Sequence, residues 1–176
     1  VNAGQDGVDA IEKVVPTSLD KAKADAKAAV QEALTKKLTE INNAQNINQT
    51  TKDKLTADAN QAATDANTAI DNATTNDIAT KAGQDGVAAI NKVTVPSVTD
   101  SQTAAKDAVQ KALDAKKTEI NNATNIDQAE KDKLTKAAEN AADTANKAID
   151  QATTADEIKK AQDEGTTNID NVKVPS

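Results

Sequence analysis

The sequence contains no His, Cys, Met, Phe, Tyr, Trp or Arg. Each absence removes a class of chemistry. Without His or Cys there is no His-dependent triad, thiol nucleophile, disulfide or typical zinc site. Without Arg or aromatic rings, the usual forks for phosphate and platforms for base stacking are missing. The net charge of −7, from 21 Lys against 28 Asp and Glu, further disfavours nucleic acid. No run approaches the roughly 20 apolar residues of a membrane span, and no secretory or anchoring signal is visible. The expectation is a chain with no catalytic, cofactor-binding or metal-binding residues. It reads as a piece of something longer.

Bulky apolar residues are also scarce. Only 29 of 176 residues are Ile, Leu or Val, fewer than a globular chain normally carries, and this alone points toward disorder. What is abundant is Ala, at 36 copies, the residue that costs least to order in a helix. Gly and Pro number five and three. Such a chain forms slim helices packed through Ala, or no packed structure at all, and periodicity decides between them.

Self-comparison is the strongest signal. Gly4-Gln5-Asp6-Gly7-Val8 recurs as Gly83-Gln84-Asp85-Gly86-Val87, and Ile41-Asn42-Asn43-Ala44 as Ile120-Asn121-Asn122-Ala123. Lys52-Asp53-Lys54-Leu55-Thr56 recurs as Lys131-Asp132-Lys133-Leu134-Thr135. Every pair is 79 residues apart. Val-Pro dipeptides end at Pro16, Pro96 and Pro175. The β-branched stretch Val93-Thr94-Val95 before Pro96 is biased out of the α region and reads as a short extended linker. Cutting after each proline gives a leader, 1–16, which is the third helix of a preceding repeat plus its linker. Two complete units follow, 17–96 and 97–176.

Each unit reads as three helices. In the second, a capping box at Thr99 and Gln102 opens the first helix, whose stripe is Ala105, Ala108, Val109, Ala112, Leu113 and Ile120. Val30, Leu34, Leu38 and Ile41 match it in the first unit. Leu38 is replaced by Lys117, so that position belongs at the stripe's edge, where a Lys stem snorkels. Asn121 to Asn125 form a turn. Asp127 and Glu130 open the second helix, with a stripe of Leu134, Ala138, Ala141, Ala145, Ala148, Ile149 and Ala152. Its counterpart is Leu55, Ala59, Ala62, Ala66, Ala69, Ile70 and Ala73. The Thr153-Thr154 pair marks a break, and Thr154 with Glu157 opens the third helix. Its stripe is Ile158, Ala161, Gly165, Ile169 and Val172, against Ile78, Ala82, Gly86, Ile90 and Val93. Gly on a buried helix face costs about 1 kcal/mol against Ala. Gly7, Gly86 and Gly165 therefore predict close approach of a neighbouring helix; Gly83, replaced by Gln162, does not. Exposed pairs four apart, Glu32–Lys36, Asp107–Lys111, Asp132–Lys136, Asp143–Lys147 and Asp156–Lys160, support the same helices. Caps, stripes and charges agree, which disorder does not require.

The predicted fold is all-α: tandem three-helix bundles arranged end to end as an elongated rod. A helix of about 24 residues is roughly 36 Å long, so two bundles in series span roughly 70–100 Å. The structural positions are Gly7, Gly86 and Gly165 in the helices and Pro16, Pro96 and Pro175 at the boundaries. Asp6, Asp85 and Glu164 recur beside the glycines and read as a solvated face. Calcium-loop spacing is absent. The Ala-lined stripes lack the bulky residues that anchor a helix on lipid.

The order of these motifs carries a resemblance. A helix ends Glu-Ile-Asn-Asn-Ala; Asn-Ile-Asp-Gln-Ala-Glu-Lys-Asp-Lys-Leu follows, then Ala-Ile-Asp-Gln-Ala-Thr-Thr, then an acidic stretch to Gly-x3-Ile and a Val-Pro boundary. This resembles the DUF1542 repeats of long Gram-positive cell-wall adhesins, over essentially the whole chain. The resemblance implies the extended shaft of a surface protein displayed from the cell wall, with a part in adhesion, aggregation or biofilm. Partners, on that basis, are host extracellular-matrix or plasma proteins met through the parent protein. Neither nucleic acid nor membrane insertion is expected, and the chain is expected to be monomeric. The competing reading is a three-helix module that itself captures a host protein. The missing Trp, Tyr and Arg weigh against it, because interface hot spots favour them.

Overall fold

The computed structural model describes residues 17–175; Gly7, Pro16 and the rest of the leader lie outside the described residues. Among those described, all regular structure is helical. The helices are α1 (Leu19–Asn43), α2 (Gln49–Asp71), α3 (Asn76–Asn91), α4 (Val98–Asn122), α5 (Gln128–Gln151) and α6 (Ala155–Asp170). They form two compact units. One comprises the chain up to Ile41 together with Lys54–Thr94, and the other Asn42–Asp53 together with the chain from Val95 onward. Each unit holds a three-helix bundle.

In the second unit, short loops return each helix against its predecessor, as they do in up-down bundles. Lys106 pairs with Asp150, and Lys117 Nζ lies 2.6 Å from Glu139. These links join the middle of α4 to the end of α5 and the end of α4 to the middle of α5, so the two run antiparallel. The core is Ala105, Val109 and Leu113 from α4, Ala138, Ala142, Ala145 and Ile149 from α5, and Ile158, Ala161 and Ile169 from α6. Ile120, Ile149 and Ile169 are fully buried. Few atoms are thus removed from water per residue, and close helix approach substitutes for bulk.

The first unit repeats the pattern. Val30, Ile41, Ile70 and Ile90 are fully buried, with Ala59, Ala63, Ala66 and Ala79 between them. Lys27 pairs with Asp71 at 2.6 Å, the counterpart of Lys106 with Asp150.

Several expectations shift by one or two residues. α4 is capped by Ser97 with Asp100, whose side chain and backbone bond reciprocally, and not by Thr99 with Gln102. Gln102 instead donates to the carbonyl of Ala152 at 2.9 Å, closing the end of α5. The second-helix stripe centres on Ala63 and Ala142; Ala62 and Ala141 are half-buried, and Ala69 and Ala148 are exposed. Neighbouring alanines have equal hydrophobicity, so only packing chooses between them. In α3 the buried face is Ala79, Gly83, Gly86 and Ile90. Ile78 is 50% exposed, not on the core face. It occupies the third position after the Thr75 cap, where α6 carries Glu157. Of the five acid-to-Lys pairs, only Glu32–Lys36 forms an ion pair, at 2.6 Å. The other four begin with Asp, one methylene shorter than Glu.

Candidate functional site

The helix ends are where polar chemistry concentrates. At N-termini, unpaired N–H groups need acceptors. The Ser97 hydroxyl accepts the Asp100 N–H at 3.1 Å, while Asp100 accepts the Ser97 N–H at 2.9 Å. The Thr154 hydroxyl accepts the Glu157 N–H at 3.3 Å, and Glu157 accepts the N–H groups of Thr153 and Thr154 at 3.0 and 3.1 Å. Asp127 caps α5 through the Glu130 N–H at 2.8 Å. These bonds favour the ionised acids. The Ser97 hydroxyl and then its backbone N–H lower the Asp100 pKa, and the Thr153 and Thr154 N–H groups lower that of Glu157. The Lys36 ammonium does the same for Glu32.

At C-termini none of the described helices has a basic residue of its own in the last turn. Lysines from elsewhere supply the donors. Lys52 Nζ donates to the Asn42 carbonyl and Lys131 Nζ to that of Asn121, both at 2.8 Å. Lys23 reaches the Asp71 carbonyl at 2.8 Å, and Lys116 that of Asp170 at 3.2 Å. A cation at the negative end of a helix is favourable, and these contacts fasten one helix to another. Lys37 and Lys116 are the charged residues with buried stems, at 8% and 7% exposure. Their ammonium groups reach Glu40 and Glu119 at 2.6 Å. Periodicity placed the snorkelling Lys at Lys117, which is half-buried as an edge position should be; the deeper Lys116 was missed.

The glycines mark the tightest approaches. A Cβ at Gly86 would lie 2.3 Å from Ala66 Cβ and 3.2 Å from Val30 Cγ2. At Gly165 it would lie 2.3 Å from Ala145 Cβ and 3.5 Å from Val109 Cγ2. Both glycines thus face the other two helices of their bundle. Gly83 is also close, with Ala26 Cβ 2.8 Å from a built Cβ, contrary to what its replacement by Gln162 suggests. The second unit turns Ala161 inward beside that site and leaves Gln162 half-buried. The carbonyls of Pro96 and Pro175 accept the side-chain amides of Asn46 and Asn125 at 2.8 and 2.9 Å.

These features hold shape. Asp85 is paired with Lys81 at 2.9 Å and Glu164 with Lys160 at 3.8 Å, on exposed faces. Among the described residues no three His, Cys, Asp or Glu side chains converge as metal ligands. No described helix is long and apolar enough to cross a membrane.

A family model described as Domain of Unknown Function (DUF1542) matches the chain twice, over residues 22–98 and 101–176. No curated protein and no solved structure matches it. With two matches beginning 79 residues apart and covering most of the sequence, the chain belongs to the DUF1542 family as a tandem pair of repeats.

Proposed function

We propose that this chain is a structural spacer, a two-repeat segment from the stalk of a bacterial surface adhesin. Its bundles follow one another end to end as an elongated rod and project a binding region from the cell wall, serving adhesion, aggregation or biofilm. The observation that carries this reading is the repetition itself. The same bundle occurs twice, with the same glycine approach, the same Lys-to-carbonyl ties and the same Asn-to-Pro clasp. Repetition of a unit multiplies length, as in other repeat proteins. On this reading the chain is monomeric, has no catalytic residue or cofactor, and meets host matrix or plasma proteins only through its parent protein. Small-angle scattering on the full chain tests it. An elongated particle with a maximum dimension of about 70–100 Å is expected from the helical rise; a compact globule contradicts it.

A second reading has one observation in its favour. Ile78 is half exposed beside a groove lined by Ala62, Ala66, Ala69, Ala82 and Gly86. If the repeats themselves capture a host protein, the intact chain binds immobilised fibronectin, albumin or immunoglobulin, and Ile78→Asp abolishes that binding. No binding at high micromolar concentration leaves the spacer reading.

A further inference from the structure

The loop between α1 and α2 differs in its surroundings from the loop between α4 and α5, although the two are counterparts. The first lies within the second compact unit, which takes in Asn42–Asp53. There the Gln45 carbonyl accepts the Ala155 N–H, at the first position of α6, at 2.7 Å. The Asn46 amide donates to the Pro96 carbonyl at 2.8 Å and to the Ser101 hydroxyl at 3.0 Å. Ile47 is 7% exposed and lines one cleft with Pro96, Ala104, Ala155 and Ile158. The loop therefore supplies an acceptor to an orphan helix N–H and apolar cover to the start of α4 and α6.

Seventy-nine residues on, Thr124, Asn125 and Ile126 stand where Gln45, Asn46 and Ile47 stood. Asn125 keeps its bond to the proline carbonyl, now Pro175, at 2.9 Å. The positions equivalent to Ser101 and Ala155 would lie beyond residue 176, and Ile126 is half-buried. The first loop is thus covered by the start of α4 and α6, and the second loop carries the same Asn-Ile pair and the same proline clasp.

We propose that this loop is a docking site for the N-terminal end of the next repeat, and that Thr124–Asp127 takes a further copy of this chain's own repeat. The Thr124 carbonyl then accepts the first N–H of the incoming third helix, Asn125 bridges Pro175 and the incoming first helix, and Ile126 becomes buried. The occupant is identified by the internal repeat, because the first loop already has it. This inference does not need the spacer reading, since coupled bundles can be long or short and scattering reports that separately.

The test uses the full chain and the full chain extended by a second copy of residues 98–176, so that Ser176 takes the place of Ser97. Urea unfolding is followed by site-resolved hydrogen exchange in each bundle. In the full chain, Ile47→Ser is expected to raise the unfolding equilibrium constant of the second unit by about tenfold, as loss of a buried aliphatic contact implies. Ile126→Ser is expected to change it by no more than about threefold, since its side chain is already partly exposed. In the extended chain, Ile126→Ser should acquire the larger effect, felt in the appended bundle. Should Ile47→Ser unfold the chain outright, Ile47→Val and Ile126→Val give the same comparison at smaller amplitude. Equal effects at the two positions in the full chain, or an Ile126 variant that stays silent in the extended chain, overturn the proposal.

Discussion

The two bundles share a fold and differ at the starts of their helices. In the second, Ser97 with Asp100 and Thr154 with Glu157 form reciprocal caps. In the first, Ser18 accepts the Lys21 N–H at 3.2 Å and Thr75 accepts the Ile78 N–H at 3.3 Å, and neither partner side chain returns a bond. The hydroxyl half of each cap is common to both; the carboxylate half belongs to the second bundle alone. The interior tells the opposite story. Val30 and Val109, Ile70 and Ile149, Gly86 and Gly165 are interchangeable in place and burial. Packing therefore constrains these inner positions tightly, although the third helices differ at Ala79 against Ile158 and Gly83 against Gln162, while the helix starts tolerate a Lys or an Ile where the other copy has an acid. An unreciprocated cap still satisfies one N–H, and solvent reaches the rest.

The largest expected effects lie where the bundles agree. Ile70→Ala and Ile149→Ala should each cost about 2–5 kcal/mol, because both side chains are fully buried and a cavity remains. Site-resolved hydrogen exchange in urea should place each loss in its own bundle. Next come the glycines. Gly86→Ala and Gly165→Ala force a methyl against an alanine Cβ, an overpacking cost of about 1–3 kcal/mol that the helix preference of Ala offsets by about 1. Gly83→Ala should be milder, since its nearest atom is further away. Clearly unequal effects at Gly86 and Gly165 would break the claimed equivalence of the two positions.

Smaller effects separate the bundles. Thr154→Ala and Thr75→Ala should each cost about 1 kcal/mol, since each removes one hydroxyl acceptor; Glu157→Ala, which removes the returning carboxylate, should lower the stability of the second bundle with no counterpart in the first. Ile78→Glu should complete the cap that the first bundle lacks, and is expected to raise its melting temperature slightly. The smallest effect is acid sensitivity. Asp100 and Glu157 have pKa values lowered by folding. Their contribution is therefore present above the ordinary carboxylate range and is lost as pH falls through their folded values. The second bundle has two such acids where the first has only Glu32, lowered by Lys36; it should therefore lose more stability in acid, and exchange rates measured between pH 5 and about 3 check the sign. Faster loss in the first bundle would contradict it.

Much of this was legible in the residues because helices follow short-range rules. Thr154 with Glu157 and the start at Asp127 were visible as cap signals next to a three-four stripe. The cap at Ser97 was missed because Thr99 with Gln102 satisfies the usual pattern two residues later, while Asp100 is an acid one methylene shorter than that pattern expects. Ile78 was misplaced because its hydrophobicity suggested a core role that its position in the first turn denies. Gly83 was dismissed through comparison with Gln162, although the two units solve that approach differently. The loop at Ile47 lay furthest from view. Ile47 and Ile126 have the same local sequence context, Asn-Ile, and only long-range packing makes one buried and the other half-buried.

The central functional claim is that two such bundles give length. The chain has no native cysteine, so Ser18→Cys and Lys173→Cys, both at exposed positions, accept spin labels at those two sites alone. Dipolar spectroscopy then measures the separation of the two ends directly. End-to-end bundles predict about 60 Å or more from the rise of α1 and α4; a population centred below about 40 Å, roughly the length of a single bundle, would contradict the account.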